Sequence, residues 1–424
     1  MKPARYWIMI DTREFSWSVI LIWVGLSAIG LTAIYSATQG PVAQFLPSYI
    51  QGNFSRQIIW ISISLVALIA IQFTSPRTFQ GAAYIFYGLC LFLAILTVFI
   101  GVEVGGGRRW LSIFGLRLQV SEFLKLATVL AVANYLTHKR DINVGNLKTA
   151  LTTVMLILVP VFVIIMQNDT GTALVLLALI PVVLFWSGLP YGISLLIISP
   201  ALIGYFSVIN VTYGIIATLI ITIAVFVLQK QKWLTLSTVV LGIVVIVGTE
   251  VALHQILQPH QRARVEAFVN PTLDPQGAGW NVLQATTAIG SGGFYGKGFM
   301  EGTQTQLRFL PEQWTDFIYC VIGEEFGFIG SSLVLILFAA LFLRLLHMAG
   351  THKQPFAQLV IVCVTFLYFF HFIINIGSAT AVLPIMGVPL PFVSYGGSAF
   401  LANTLMLAIC LNFHLYKRSF SIYS

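Results

Sequence analysis

Twelve apolar runs near 20 residues recur along the chain, at 15–36, 57–73, 80–101, 119–137, 149–166, 171–188, 190–206, 211–228, 234–257, 316–346, 356–379 and 395–416. Each is long enough to cross about 30 Å of hydrocarbon as a helix. Charge is scarce: 8% of residues are Asp, Glu, Lys or Arg, against roughly 25% in a soluble domain. No separate soluble domain fits. The expected fold is an all-α polytopic membrane protein of about 12 transmembrane helices, a single integral domain over residues 1–424.

Basic residues set the expected orientation. Lys125 falls inside a helix; of the other Lys and Arg, 13 fall on the N-terminal side of the membrane and 8 on the far side. That excess places both termini in the cytoplasm. The net charge of +8 then reads as topology and contact with anionic lipid, not as nucleic-acid binding. The opening MKPARYWIMIDTREFSW has acid and base ahead of a full-length span and no small-residue cleavage site, so no removed signal peptide is expected. Cys90, Cys320, Cys363 and Cys410 fall singly in apolar runs without metal-ligand spacing, and read as small core residues. Neither an HExxH-type histidine motif nor a nucleotide-binding glycine loop occurs.

One polar segment interrupts the pattern. Residues 258–315 gather Arg262, Arg264, Glu266, Asp274, Lys297, Glu301, Arg308 and Glu312, and Asp316 stands where the next apolar run begins. A loop of that length is functional or disordered, and its aromatics argue against disorder. We expect a large ordered extracytoplasmic loop with little regular periodicity, shaped by many glycines. Asp316 is the leading catalytic candidate. A carboxylate at the water–lipid boundary is partly desolvated, which raises its pKa and suits it to act as a base near neutral pH. An Asp just before a helix is also an N-cap, and the residues alone leave both readings open. Lys297 and Arg308 are candidates for anionic-substrate contact or plain solvated loop charges.

Other polar residues near the same boundary carry similar pairs of readings. Arg108 and Arg109 follow a run of glycines and go against the positive-inside tendency; arginine suits phosphate through its planar paired donors. Trp110 beside them fits an interfacial anchor as well as a substrate contact. Glu122 and Lys125, three apart on one helix face, form either a neutralising salt bridge or part of a wet cavity. Asp169, in QNDTGT, sits at a short turn as a cap or a cavity residue. Glu324 and Glu325 lie about two helical turns beyond Asp316 and could shape a cavity or a polar network. Pro384, Pro389 and Pro391 interrupt the helical pattern between the last two spans, as a re-entrant turn would.

Six blocks carry a family resemblance. GGGRRW, SEFLKLA, QNDTGTALV, DPQGAGWNVLQATTAIGSGGFYGKGF, GTQTQLRFLPEQWTDFIYCVIGEEFGF and NIGSATAVLPIMGVPLPFVSYGGSAF occur in that order across most of the chain. Together they resemble the SEDS family (shape, elongation, division and sporulation), its elongation branch more than its division branch. The resemblance implies a peptidoglycan glycosyltransferase that polymerises lipid II on the outer face of the cytoplasmic membrane. The transfer would be inverting, with undecaprenyl pyrophosphate as leaving group. It implies a class B penicillin-binding protein as transpeptidase partner, contact with membrane lipids and with other membrane proteins of the elongation machinery, and no nucleic acid. The family's essential loop aspartate falls on Asp316, its aromatic after the glycine–arginine motif on Trp110, and its polar pair on Glu122 and Lys125.

Three departures from the family pattern stand out. Asn168 occupies a place where proline is typical, Trp314 stands where histidine is common, and twelve spans replace the usual ten. The surplus fits two helices inserted among residues 190–257, which leaves the loop's sidedness unchanged.

The implied chemistry matches the residues. A sugar 4-hydroxyl must lose its proton to attack, and the leaving pyrophosphate needs positive charge. Asp316 would serve as base, and Arg108, Arg109, Lys125, Lys297 and Arg308 form the pool of cations. The metal requirement stays open: a divalent cation, Mg2+ or Mn2+, could assist the leaving group. Two rivals remain, a lipid II flippase or transporter and a scaffold for the transpeptidase, and a division-specific polymerase is the near alternative.

Overall fold

In a computed structural model of the chain, the described residues are 16–40, 47–104, 107–113, 116–138, 147–257, 259–273 and 277–417. Lys2, Arg5, Arg13, Lys139, Arg140 and Arg418, on which part of the charge count rests, lie outside them. Helix α1 (Trp17–Gln39) is followed by a short α2 (Ser48–Gln51), α3 (Asn53–Gln72) and α4 (Pro76–Ile100). Strands β1 (Val102–Val104), β2 (Gly107–Ile113) and β3 (Leu116–Gln119) then precede α5 (Val120–His138) and α6 (Leu147–Met166). Next come α7 (Thr170–Leu177), α8 (Leu179–Trp186), α9 (Tyr191–Ile209), α10 (Val211–Gln229) and α11 (Lys232–Val251). The polar segment holds α12 (Pro259–Val269), α13 (Ala278–Ser291) and α14 (Thr303–Gln306), and α15 (Ile318–Thr351), α16 (Pro355–Ala379) and α17 (Gly397–Leu415) complete the chain.

Eleven of these helices are long and apolar enough to cross a membrane, and a twelfth apolar stretch, Thr170–Trp186, is broken between α7 and α8. The expected spans are thus present, with two additions to an all-α picture. A three-stranded antiparallel sheet in the order β1-β2-β3 stands between α4 and α5. The polar segment, expected to show little regular periodicity, holds three helices, α12, α13 and α14. Helix α13 packs through small residues: Ala285 and Ala288 are fully buried, and Gly292, just past its end, lies against the carbonyl of Gly323 on α15. The main core runs through α1, α5, α15, α16 and α17. A smaller apolar cluster of Ile203, Ala217, Ile221, Val225 and Leu234 unites α9, α10 and α11, the region where the extra pair of helices was expected.

Helix α15 decides how the site is built. Its lower part runs antiparallel to α1: Arg344 Nε donates to Ser18 Oγ at 2.9 Å, and Glu325 accepts from Ser36 Oγ. Yet Gln313 Nε2 donates to Ala37 O at 3.3 Å, so Gln313 and Glu325 both meet the last turns of α1. The stretch Ile318–Phe326 therefore lies across the end of the bundle instead of along it. The change of direction comes at Gly327, whose φ of 60° and ψ of −153° belong to a region essentially reserved for glycine. The break leaves helix carbonyls and amides without their usual partners, and the loop supplies them. Lys297 N and Gly298 N donate to the carbonyls of Glu324 and Glu325, while Phe328 N and Ile329 N donate to those of Gly293 and Phe294. Irregular backbone at such a depth is tolerated where protein buries it.

Candidate active site

The turn before α15 carries Asp316 to this end of the bundle. Both Thr315 N and Asp316 N donate to Glu312 O at 3.1 Å, with Glu312 in the left-handed region at φ 47°. No side chain caps α15, so Asp316 is not spent as an N-cap. Its carboxyl is half-buried. Burial pushes it up to about 6; the Glu312 charge adds to the push, and Arg109, the Thr315 hydroxyl and Arg264 oppose it. A carboxylate poised near 6 is ionised at neutral pH yet basic enough to take a proton.

Arg109 arrives on β2, where it faces Asp169 at 3.5 Å. Asp169 also accepts from Gln119 Nε2 at 2.9 Å and from Thr172 N at 3.2 Å, which makes it the cap of α7 and the anchor of the arginine. The turn before it depends on Asn168, at φ 59°, whose N–H donates to Ile165 O at 3.0 Å. Asparagine tolerates that left-handed conformation, whereas proline is locked near −65° and has no N–H. The family's usual residue therefore does not fit this backbone. Asn168→Pro should destabilise the protein by about 3 kcal/mol or more and release Arg109 from Asp169. Thermal unfolding in detergent checks this; an unchanged melting temperature would contradict it.

Several expected substrate contacts are engaged elsewhere. Lys297 Nζ donates to Glu324 Oε1 and Thr303 Oγ1, both at 2.7 Å, so it ties the loop to α15. Glu324 is fully buried and also accepts from Gln304 N and Thr305 N at 2.9 Å. Glu325 is held by Ser36 and by Gln306 Nε2 at 2.9 Å. Both acids fasten the loop to the end of the bundle. Arg108 pairs with Glu103 across an exposed sheet edge at 3.4 Å. Trp110 is half-buried beside it, opposite Gln119 in the β2–β3 register.

Glu122 and Lys125 are sealed in the bundle. Lys125 Nζ lies 2.9 Å from Glu122 Oε2 and 2.8 Å from His371 Nε2, and all three side chains are buried. The His371 Nδ1 contact to Pro389 O at 3.1 Å requires that nitrogen to donate, so Nε2 accepts from the ammonium. The pair is packed inside the bundle, which favours the neutralising salt bridge over the wet cavity. Arg308 does stay near the site, its guanidinium 5.7 Å from the centre of the Trp314 ring.

Arg264 is the site residue that the sequence reading passed over. Arg262 pairs with Glu266 at 2.7 Å, one turn on along α12. Residues two apart on a helix point to nearly opposite sides, so that spacing was a signal that Arg264 faces elsewhere. His371 and Asn375 were missed because an isolated polar residue in an apolar helix carries no motif. No three His, Cys, Asp or Glu side chains gather as a metal site among the described residues.

Comparison with known proteins gives a consistent picture. The profile of the cell cycle protein family of FtsW, RodA and SpoVE matches residues 16–218 and 209–419. Peptidoglycan glycosyltransferase RodA of Treponema pallidum is 29% identical, over 93% of this chain and 97% of its own length. Peptidoglycan glycosyltransferase MrdB of Escherichia coli is 30% identical, over 95% and 94%. A solved chain from a peptidoglycan synthase complex that coordinates polymerization and crosslinking superposes with a TM-score of 0.68 at 26% identity, over 95% of this chain and 98% of that one.

Proposed function

The chain belongs to the cell cycle protein family of FtsW, RodA and SpoVE and is a peptidoglycan glycosyltransferase, and on that premise we propose that Asp316 is the base with which it polymerises lipid II. The carrying observation is a half-buried carboxylate that caps no helix and that burial pushes up to about 6, with the positive charges of Arg109 and Arg264 acting against that push. In the proposed step the Asp316 carboxylate takes the proton of the acceptor's 4-hydroxyl. That oxygen attacks the anomeric carbon of the donor sugar, and the bond to pyrophosphate breaks from the opposite face. The electron pair leaves on undecaprenyl pyrophosphate, and the configuration inverts. Arg109 and Arg264 supply the positive charge that the leaving group requires, with Arg308 beside them. In this reading Lys297, Glu122 and Lys125 act through structure.

The polar segment 258–315 is the extracytoplasmic loop in this reading, and both termini lie in the cytoplasm. Elongation is the favoured role, since RodA and MrdB are among the similar relatives. A class B penicillin-binding protein is the proposed transpeptidase partner; the likeness to a chain of a synthase complex supports it. The test is purified protein incubated with lipid II, with and without that partner. Glycan polymer is expected. Movement of lipid II across vesicles without new glycosidic bonds would mean a flippase, and neither outcome a scaffold. Sidedness has its own readout: a cysteine at exposed Thr272 should react with an impermeant thiol reagent in intact cells, and one at exposed Gln231 should not.

A further inference from the structure

We propose that Asn375 and Ser394 are positioning residues that clamp the backbone of the Asp316 turn and so fix where its carboxylate points. The inference rests on Asp316 being the base. Three consecutive carbonyls precede α15, those of Trp314, Thr315 and Asp316. Each accepts a hydrogen bond from α16 or from the segment between α16 and α17. Tyr395 N donates to Trp314 O at 2.8 Å, Ser394 Oγ to Thr315 O at 2.6 Å, and Asn375 Nδ2 to Asp316 O at 3.1 Å.

Neither side chain is a casual contact. Asn375 is buried, and its amide also donates to Val388 O at 2.9 Å. Both hydrogens of one NH2 group thus join two segments that are distant in sequence. Ser394, also buried, bridges in the same way, accepting from Leu390 N at 2.8 Å while it donates to Thr315. One turn back along α16, on the same face as Asn375, His371 holds Pro389 O. The 388–395 segment is therefore fixed to α16 at two points and in turn grips the Asp316 turn. Gly387, at φ 66°, completes the wall: a Cβ there would stand 3.5 Å from Asp316 Oδ2.

A turn needs such a clamp more than a helix does. Asp316 lies outside α15, so no helical hydrogen-bond ladder fixes its carbonyl, and a misplacement of about 1 Å can cost roughly a hundredfold in rate. The charged groups that bear on its carboxyl are Glu312 from its own turn, Arg109 from β2 and Arg264 from α12. Asn375, Ser394 and Gly387, which also meet the turn, are neutral, and His371 is committed to Lys125 and Pro389. The clamp acts by position and by excluding water, not by charge.

The test measures lipid II polymerisation against pH for the full-length chain and for Asn375→Ala, Ser394→Ala and Ser394→Thr. Each alanine variant should lose about tenfold or more in kcat with KM unchanged. Its acid limb should move to lower pH, because a loosened turn admits water and lets the carboxyl fall toward its ordinary range. Ser394→Thr keeps the hydroxyl and should retain both rate and limb. Alanine variants with a wild-type rate, or with a lower rate and an unmoved acid limb, would overturn the clamp. Should Asn375→Ala fail to fold, the Ser394 pair decides the same question. A failure of the base reading looks different: Asp316→Asn would then stay active, and the clamp would lose its object.

Discussion

Asp316→Asn should abolish glycan polymerisation by the purified protein while leaving it folded and inserted. The amide has nearly the shape of the carboxylate but cannot accept the acceptor's proton. Loss of a positioned base costs about 10² to 10⁴ in rate, so polymer should fall below detection, not merely slow. The wild-type rate should rise with pH through about 6, as the carboxyl ionises. Stability runs the other way. The folded carboxyl titrates above its unfolded value, so the native state gains from its proton, and that gain fades as pH rises through about 6. At neutral pH the wild type bears a desolvated charge that Asn does not. The variant should melt no lower than the wild type, and a well-folded variant with near-normal polymer yield would remove Asp316 from the mechanism.

Lys125→Ala should be among the most damaging substitutions to stability. It leaves Glu122 buried without its cation, and breaking a buried pair by removing one partner costs about 3 to 5 kcal/mol. His371, whose Nε2 accepts from Lys125, loses its partner at the same stroke. Replacing both members, as Glu122→Gln with Lys125→Met, removes the uncompensated charge and should recover much of the loss. The comparison separates structure from substrate binding. If the pair is a closed brace, expression and melting temperature recover in the double variant and polymerisation recovers with them. A double variant that folds normally but no longer uses lipid II would return Lys125 to the substrate.

Much of this protein was legible locally. A membrane span declares itself through a run of apolar residues matched to the hydrocarbon thickness, and α1, α4, α10 and α16 fall where those runs predict. Asp169 before Thr-Gly was readable as a cap, since short polar side chains bond the first amides of a helix. The boundary position of Asp316 foretold its desolvation. Asp169 and Asp316 look alike in sequence, each an acid before a helix, but one caps and the other does not. That difference needed the fold.

Side-chain periodicity and apolar run length are properties of neighbours in sequence, so the chain by itself determined the spans, the expected polar loop and the aspartate at its edge. Partners distant in sequence were decided by the tertiary structure. Ile318–Phe326 reads as the first turns of a span, and its course across the bundle end follows from Gln313 and Glu325 meeting the same end of α1. Lys297 looks like a solvated loop cation until Glu324 is brought to it. Arg264 and Arg109, on α12 and β2, are far from Asp316 in sequence, yet the fold lets their charges lower its carboxyl pKa. Electrostatic and hydrogen-bond energies depend on distance in space, and sequence does not encode that distance in any local pattern.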